Sequence, residues 1–159
     1  MTQRIDYMQQ SPELFKKLAA VNAQLSQSSV EKTISHLVEV RASQINGCAF
    51  CTDMHVKQAV IGGERPLRLF HLPAWRESAL FSARERAALE WTEVLTHLPP
   101  HGVPDDIYER VREQFSEKEL TDLTYEVMVA NAWNRINVAF RAVPGALDKA
   151  YGLDKSGLA

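Results

Sequence analysis

The stretch Glu31-Lys-Thr-Ile-Ser-His36-Leu-Val-Glu39-Val-Arg-Ala-Ser43-Gln-Ile-Asn-Gly-Cys48-Ala-Phe-Cys51-Thr-Asp-Met-His55 decides how the rest of the chain reads. Its first half places Ile34, Leu37, Val38, Ala42 and Ile45 on one stripe of a helical period. Asn46-Gly47 supplies a helix end and a turn. A second helix is predicted from Cys48 to Ile61, stopping at Gly62-Gly63. Two helices joined so tightly, with no period-two alternation, point to an all-α fold.

Moving outward, helix signals recur. Ser11-Pro12 reads as an N-cap followed by proline in the first turn. Ser28 with Glu31, Ser82 with Glu85 and Ser116 with Glu119 all have capping-box spacing. At the last of these, Phe115 and Leu120 stand where a hydrophobic staple would place them. Pro66 and Pro73 bracket an irregular connection holding Phe70, His71 and Trp75. Helices are predicted from Ala83 to Leu98, from Pro104 onward, and from Glu117 to about Phe140, the longest. Pro144-Gly145 then precedes a short C-terminal helix. No repeat, low-complexity tract or linker divides the chain, so residues 1–159 are expected to form a single compact helical domain. From Leu123 to Phe140 the sequence is apolar on more than one face, which fits either a central core helix or a subunit interface.

The bulk properties exclude several classes. A chain of 159 residues can support one hydrophobic core, and 45% apolar with 24% charged residues is ordinary for a soluble protein. A net charge of -2, with an isoelectric point near 6.2, argues against nucleic acid as a partner, because phosphate binding needs concentrated basic surface. The N-terminal residues lack a signal-peptide run, and no segment approaches the roughly 20 apolar residues of a membrane span. The expected location is the cytoplasm, with no membrane partner.

In such a reducing compartment, two cysteines three positions apart are more often redox-active or metal-binding than structural. At a helix start, the free N–H groups and partial positive charge stabilise a thiolate. His55 lies four residues after Cys51, so imidazole and thiol share a face, and the ring can take the thiol proton or stabilise the anion. Two other readings stay open: inert buried cysteines, or a metal held by Cys48, Cys51 and His55 with His36 or His71 as a fourth ligand. The leading reading needs no metal and no cofactor.

On the preceding helix, His36, Val40, Ser43 and Gly47 form a line away from the apolar stripe, with Glu39 beside His36. That line either lets a second backbone approach and presents a polar group to the cysteines, or it faces solvent. Arg41 falls inside the apolar stripe and is expected to snorkel or to pair with a carboxylate. His71, His97 and His101 have no companion at catalytic spacing and read as surface or packing residues. Trp75, Trp91 and Trp133 read as helix packing.

From Ser43 to His55 the sequence resembles the carboxymuconolactone decarboxylase superfamily, in particular its AhpD-like alkylhydroperoxidase branch. Ala74–Trp91 and Asn131-Ala-Trp-Asn-Arg135 are similar to the same branch, so the resemblance covers about residues 31–143. It implies an all-helical subunit assembling into homo-trimers or hexamers, and thiol-dependent reduction of organic hydroperoxides. By the match, Cys51 is the thiolate that attacks the O–O bond, Cys48 resolves the sulfenic acid to a disulfide, and His55 assists proton transfer. A dithiol reductant, in the family a lipoyl-bearing partner, restores the pair.

Two positions depart from the pattern. The family's relay glutamate is His36 here, one turn before Glu39. Either His36 substitutes as base, Glu39 does so after a local shift, or the relay is missing. The histidine that some members carry between the cysteines is Phe50. The rival functions are a lyase or isomerase acting on a small organic acid, and a non-enzymatic module that senses redox state through its disulfide.

Overall fold

The structure, a computed structural model, describes residues 2–158. Met1 and Ala159, the outer ends of the expected domain, lie outside the described residues. In chain order the helices are α1 (Tyr7–Gln10), α2 (Pro12–Leu25), α3 (Lys32–Ile45), α4 (Ala49–Ile61) and α5 (Pro66–His71). After a 3-10 stretch at Leu72–Glu77 come α6 (Ala83–His97), α7 (Asp105–Arg112), α8 (Glu117–Phe140), α9 (Asp148–Tyr151) and a final 3-10 turn at Leu153–Ser156. No strand occurs among the described residues.

Local chemistry sets most of these boundaries. At the start of α6, Ser82 Oγ accepts from Glu85 N at 3.2 Å while Glu85 Oε2 accepts from Ser82 N at 2.7 Å. Ser116 and Glu119 repeat the reciprocal pair at α8, and Phe115 and Leu120 are buried in one cluster, as a staple requires. The expected box at Ser28 does not form. There Ser28 Oγ accepts from Val30 N, and α3 begins at Lys32. The Glu31 carboxylate is instead gripped by Arg84, at 2.9 Å from both Nε and Nη2. Bidentate charge-assisted bonds outcompete a neutral cap. Ser11 does cap α2 by position, with Pro12 in the first turn, but its side chain makes no capping bond.

Helix α3 is the centre of the bundle and packs against α4, α6 and α8. Ile34 and Val38 join Trp91, Leu123 and Val127 in one buried cluster, while Leu37 and Val40 join Leu69, Leu72, Trp75 and Leu89 in another. Val40 and Ser43 are fully enclosed, His36 is half-buried and Gly47 is exposed, so the middle of the line that could have faced solvent faces protein. Arg41 pairs with Glu93, its Nε and Nη2 lying 2.8 and 2.7 Å from Oε1.

Helix α8 is a core helix along one face. Leu120, Leu123, Val127, Ala130, Asn134 and Asn137 are buried, whereas Tyr125, Met128 and Val138 are about half exposed in the single chain. No described helix is long and apolar enough to cross a membrane.

Candidate functional site

The turn between α3 and α4 positions the cysteines. Gly47 adopts φ +63°, a left-handed conformation that glycine takes without a Cβ penalty. The chain then reverses so that Cys48 N donates to Ser43 O at 3.0 Å. Cys48 is the N-cap of α4 rather than its first residue, and its Sγ accepts from Cys51 N at 3.2 Å. A sulfur in the capping position meets the unpaired N–H groups of the first turn, the environment that favours a sulfur anion. Here Cys48 and Cys51 are joined as a disulfide, at 1% and 0% exposure.

One turn further, buried His55 is held from behind. Its Nδ1 lies 2.9 Å from Gln58 Oε1 and 3.3 Å from Glu39 Oε2. A carboxylate only accepts, so Nδ1 carries the proton, leaving Nε2 without a bond to the described residues. Burial disfavours a charged imidazole. The negative charge of Glu39 and the bonds to Glu39 and Gln58 outweigh it, and His55 holds its proton above the usual histidine range. Burial likewise pushes Glu39 up, but His55, aided by His36 and Lys32, keeps it below the usual carboxylate range.

Of the two candidates for the missing relay position, the structure brings Glu39 to His55, with no local shift required. His36 lies to one side. Its Cε1 sits 2.7 Å from where a Cβ on Gly62 would be, so the bare backbone of Gly62 makes room for its ring. Burial lowers its proton affinity more than the charge of Glu39 restores it.

The His55 ring opens onto a cavity of about 260 Å³. Tyr7 and Met8 of α1 and Phe15, Ala19 and Asn22 of α2 form one wall. Phe50 and Met54 of α4, Trp133 and Asn137 of α8, and Leu147 and Tyr151 near the C-terminus complete it. Trp133 is thus a cavity wall, edge-on to Phe15 at 5.8 Å between ring centres, in addition to packing. Cys51 lies behind this wall. Asn137 Nδ2 donates to Cys51 Sγ at 3.5 Å, and Tyr7 Oη donates to Asn137 Oδ1 at 2.9 Å.

Sequence reasoning passed over Tyr7, Gln58 and Asn137. A signal was available for the last: Asn131, Asn134 and Asn137 recur every three residues along an otherwise apolar helix. Asn134, fully buried, donates to Ser43 Oγ at 3.0 Å and accepts from Asn46 Nδ2 at 2.9 Å. Asn131 accepts from the same Asn46 amide at 3.0 Å. The three asparagines of α8 therefore brace the turn before Cys48 and reach the sulfur of Cys51.

A smaller cavity of about 220 Å³ adjoins on the other side of Glu39 and Gln58, lined also by Ser35, His36 and Glu126. Glu126 is 5% exposed; its Oε1 accepts from Ser35 Oγ at 3.1 Å, while Oε2 is buried without a partner. Burial pushes its carboxyl up to about 7. His71, His97 and His101 are exposed and remote from the cavity lining. Among the described residues, no group of three or more His, Cys, Asp or Glu is arranged to hold a metal ion.

Comparison with known proteins places this arrangement. The profile of the Carboxymuconolactone decarboxylase family matches residues 12–94, a span holding Glu39, Cys48, Cys51 and His55. The uncharacterised protein YdfG of Bacillus subtilis is 42% identical over 139 residues, covering 87% of this chain and 95% of its own. A crystal structure from Agrobacterium tumefaciens, described as a protein of unknown function and putative antioxidant defence protein AhpD, superposes with a TM-score of 0.88. It is 39% identical, over 91% of this chain and 99% of that one. A peroxidase-related protein of Ralstonia eutropha, described as an alkylhydroperoxidase AhpD core, shares the fold at a TM-score of 0.77 and 20% identity, over 87% of this chain and 74% of that one. The chain belongs to the carboxymuconolactone decarboxylase family, in its AhpD-like branch.

Proposed function

We propose that the protein is a thiol peroxidase that reduces organic hydroperoxides through a Cys48/Cys51 dithiol–disulfide cycle. The observation that carries this reading is the bridged cysteine pair one turn from an imidazole whose Nδ1–H is fixed by Glu39 and Gln58 and whose Nε2 is unbonded. With the pair reduced, Nε2 takes the Cys51 thiol proton and the raised proton affinity of His55 favours the thiolate–imidazolium form. The thiolate attacks one peroxide oxygen and the O–O bond breaks. Cys51 becomes a sulfenic acid, and the departing alkoxide takes the proton from His55 and leaves as an alcohol. Cys48 then displaces hydroxide, which leaves as water with the Cys48 proton, closing the disulfide. A dithiol, for which a lipoyl-bearing protein is the proposed partner, returns two electrons and two protons by exchange.

Glu39 takes the supporting role in this scheme, and His36 is not needed for it. The aromatic cavity suits the organic group of the peroxide. Assembly into a homo-trimer or hexamer is part of the proposal, supported by the exposed Tyr125, Met128 and Val138 on α8.

The test is consumption of tert-butyl hydroperoxide with a dithiol reductant, comparing the parent with Cys51→Ser. Turnover that disappears in the variant supports the peroxidase. Turnover at the parent rate without Cys51 removes the assignment, and with it the distinction from a lyase that needs no cysteine.

A further inference from the structure

Asn137 is a polar residue at the point where α8 meets the reactive pair, and its two amide ends have different partners. The oxygen accepts from the Tyr7 phenol at 2.9 Å and the nitrogen donates to Cys51 Sγ at 3.5 Å. The opposite orientation would set the amide oxygen against the sulfur lone pairs, two acceptors face to face. With the Tyr7 hydroxyl donating to the oxygen, the amide is held with its nitrogen end toward the sulfur. Burial, then the neighbouring Tyr151 and Asp6, push the phenol up to about 12, so Tyr7 remains a donor through the physiological range.

Tyr7 is itself held in place. Arg4 N donates to Phe140 O at 2.8 Å, and the Tyr7 ring stacks on Phe140 with centres 5.9 Å apart. Asn137 is 4% exposed, so its donor works where water competes little. The chargeable side chains facing the cavity beside Cys51 are Tyr7 from α1, Glu39 from α3, His55 from α4 and Tyr151 from α9. Asn137 offers a neutral, fixed donor whose contribution does not vary with pH.

We propose that Asn137 is a catalytic residue that holds the sulfur of Cys51 as an anion through its side-chain N–H, and that Tyr7 is the positioning residue that aims it. The same N–H serves the sulfur when the disulfide is opened by a reductant and Cys51 leaves as thiolate. This rests on Cys51 being the reactive sulfur of the preceding reading, but it concerns the acidity of that sulfur, whatever the thiolate goes on to attack.

The experiment follows the titration of Cys51 in a Cys48→Ser background, by ultraviolet thiolate absorbance and by the pH dependence of alkylation. Asn137→Ala is expected to move the titration up by about one to two pH units, the size of a hydrogen bond to a charged group. Tyr7→Phe, which disturbs packing little, is expected to move it the same way by less. Thr124→Ala, which removes a partly buried hydroxyl of the same helix, bonded to Trp91 and away from the cysteine turn, is expected to leave it in place. Unchanged titration in both Asn137→Ala and Tyr7→Phe overturns the proposal, as does an equal shift in Thr124→Ala. Peroxide turnover does not enter the readout. Shifted titration in a protein that consumes no hydroperoxide upholds this inference and removes the peroxidase reading alone.

Discussion

Glu39 Oε2 stands 3.3 Å from His55 Nδ1, joining the central helix of the bundle to the helix that carries both cysteines. The partners support each other with opposite pH signatures. His55, raised above its ordinary value, adds stability that is fully present below the unfolded imidazole range and lost as pH rises through its folded value. Glu39, lowered, adds stability that is present above the unfolded carboxylate range and lost as pH falls through its folded value. Glu39→Gln should therefore lower unfolding free energy by on the order of 1–2 kcal/mol between those ranges. The deficit should shrink at both acid and alkaline ends. Urea unfolding across pH measures it, and a deficit that persists unchanged into alkaline solution would remove the ion-pair account. The same variant should raise the pH at which Cys51 is alkylated, because its imidazole holds a proton less well.

Glu126 carries the opposite sign for a carboxylate. Its proton affinity is raised, from 4.5 to about 7, because burial leaves the charged form poorly solvated, with the charge of Glu39 adding to it, and hydrogen bonds from Ser28 and Ser35 offset this only in part. Between those values the native state holds a proton the unfolded state has released, so stability falls as pH rises through that window and stays low above it. The shift corresponds to about 3 kcal/mol at full ionisation. Glu126→Gln should be more stable than the parent near pH 8, with the advantage gone near pH 5. Chemical denaturation at the two pH values decides the matter; an advantage of equal size at both would mean that charge is not the cause.

Asn134 is expected to be among the costlier polar side chains to remove. Alanine there removes the donor to fully buried Ser43 Oγ, leaves the partly buried Asn46 amide only its bond to Asn131, and opens a void. A loss of about 3 kcal/mol is expected from the unpaired groups and the cavity together. Thermal melting of Asn134→Ala against the parent checks this, and a change below about 1 kcal/mol would show that water replaces the amide at little cost.

Contacts close in sequence were the readable ones. The capping pairs at Ser82 and Ser116 are i, i+3 chemistry, and they start helices where their spacing says. Cys48, Cys51 and His55 span about two turns of a single helix and its N-cap, so periodicity alone aligns them. The Ser28 box has the same spacing and fails because Arg84, 53 residues away, claims Glu31. The partner of His55 depends on how α3 lies against α4, which no local pattern encodes; the helical period sets Glu39 beside His36 without saying which of them meets His55. Tyr7 and Asn137 are 130 residues apart, and their meeting is a property of the packed chain. What was visible in α8 was an anomaly, amides recurring in an apolar helix, without an indication of what they serve.

The walls of the cavity beside His55 come mostly from the two ends of the chain: residues 7–22 on one side, and Trp133 through Tyr151 on the other. The sulfur pair and imidazole sit between, on α4, with the supporting carboxylate on α3. Each end is tethered by a few contacts, Arg4 to the last carbonyls of α8 and Asp148 to Lys57 at 2.7 Å. The ends of the chain thus build most of the cavity wall and also send Tyr7 and Asn137 toward the sulfur. Under the proposed function, replacing wall residues that touch neither sulfur nor imidazole, such as Met8, Phe15 and Ala19, changes which organic groups fit while the Cys48/Cys51 pair stays as it is.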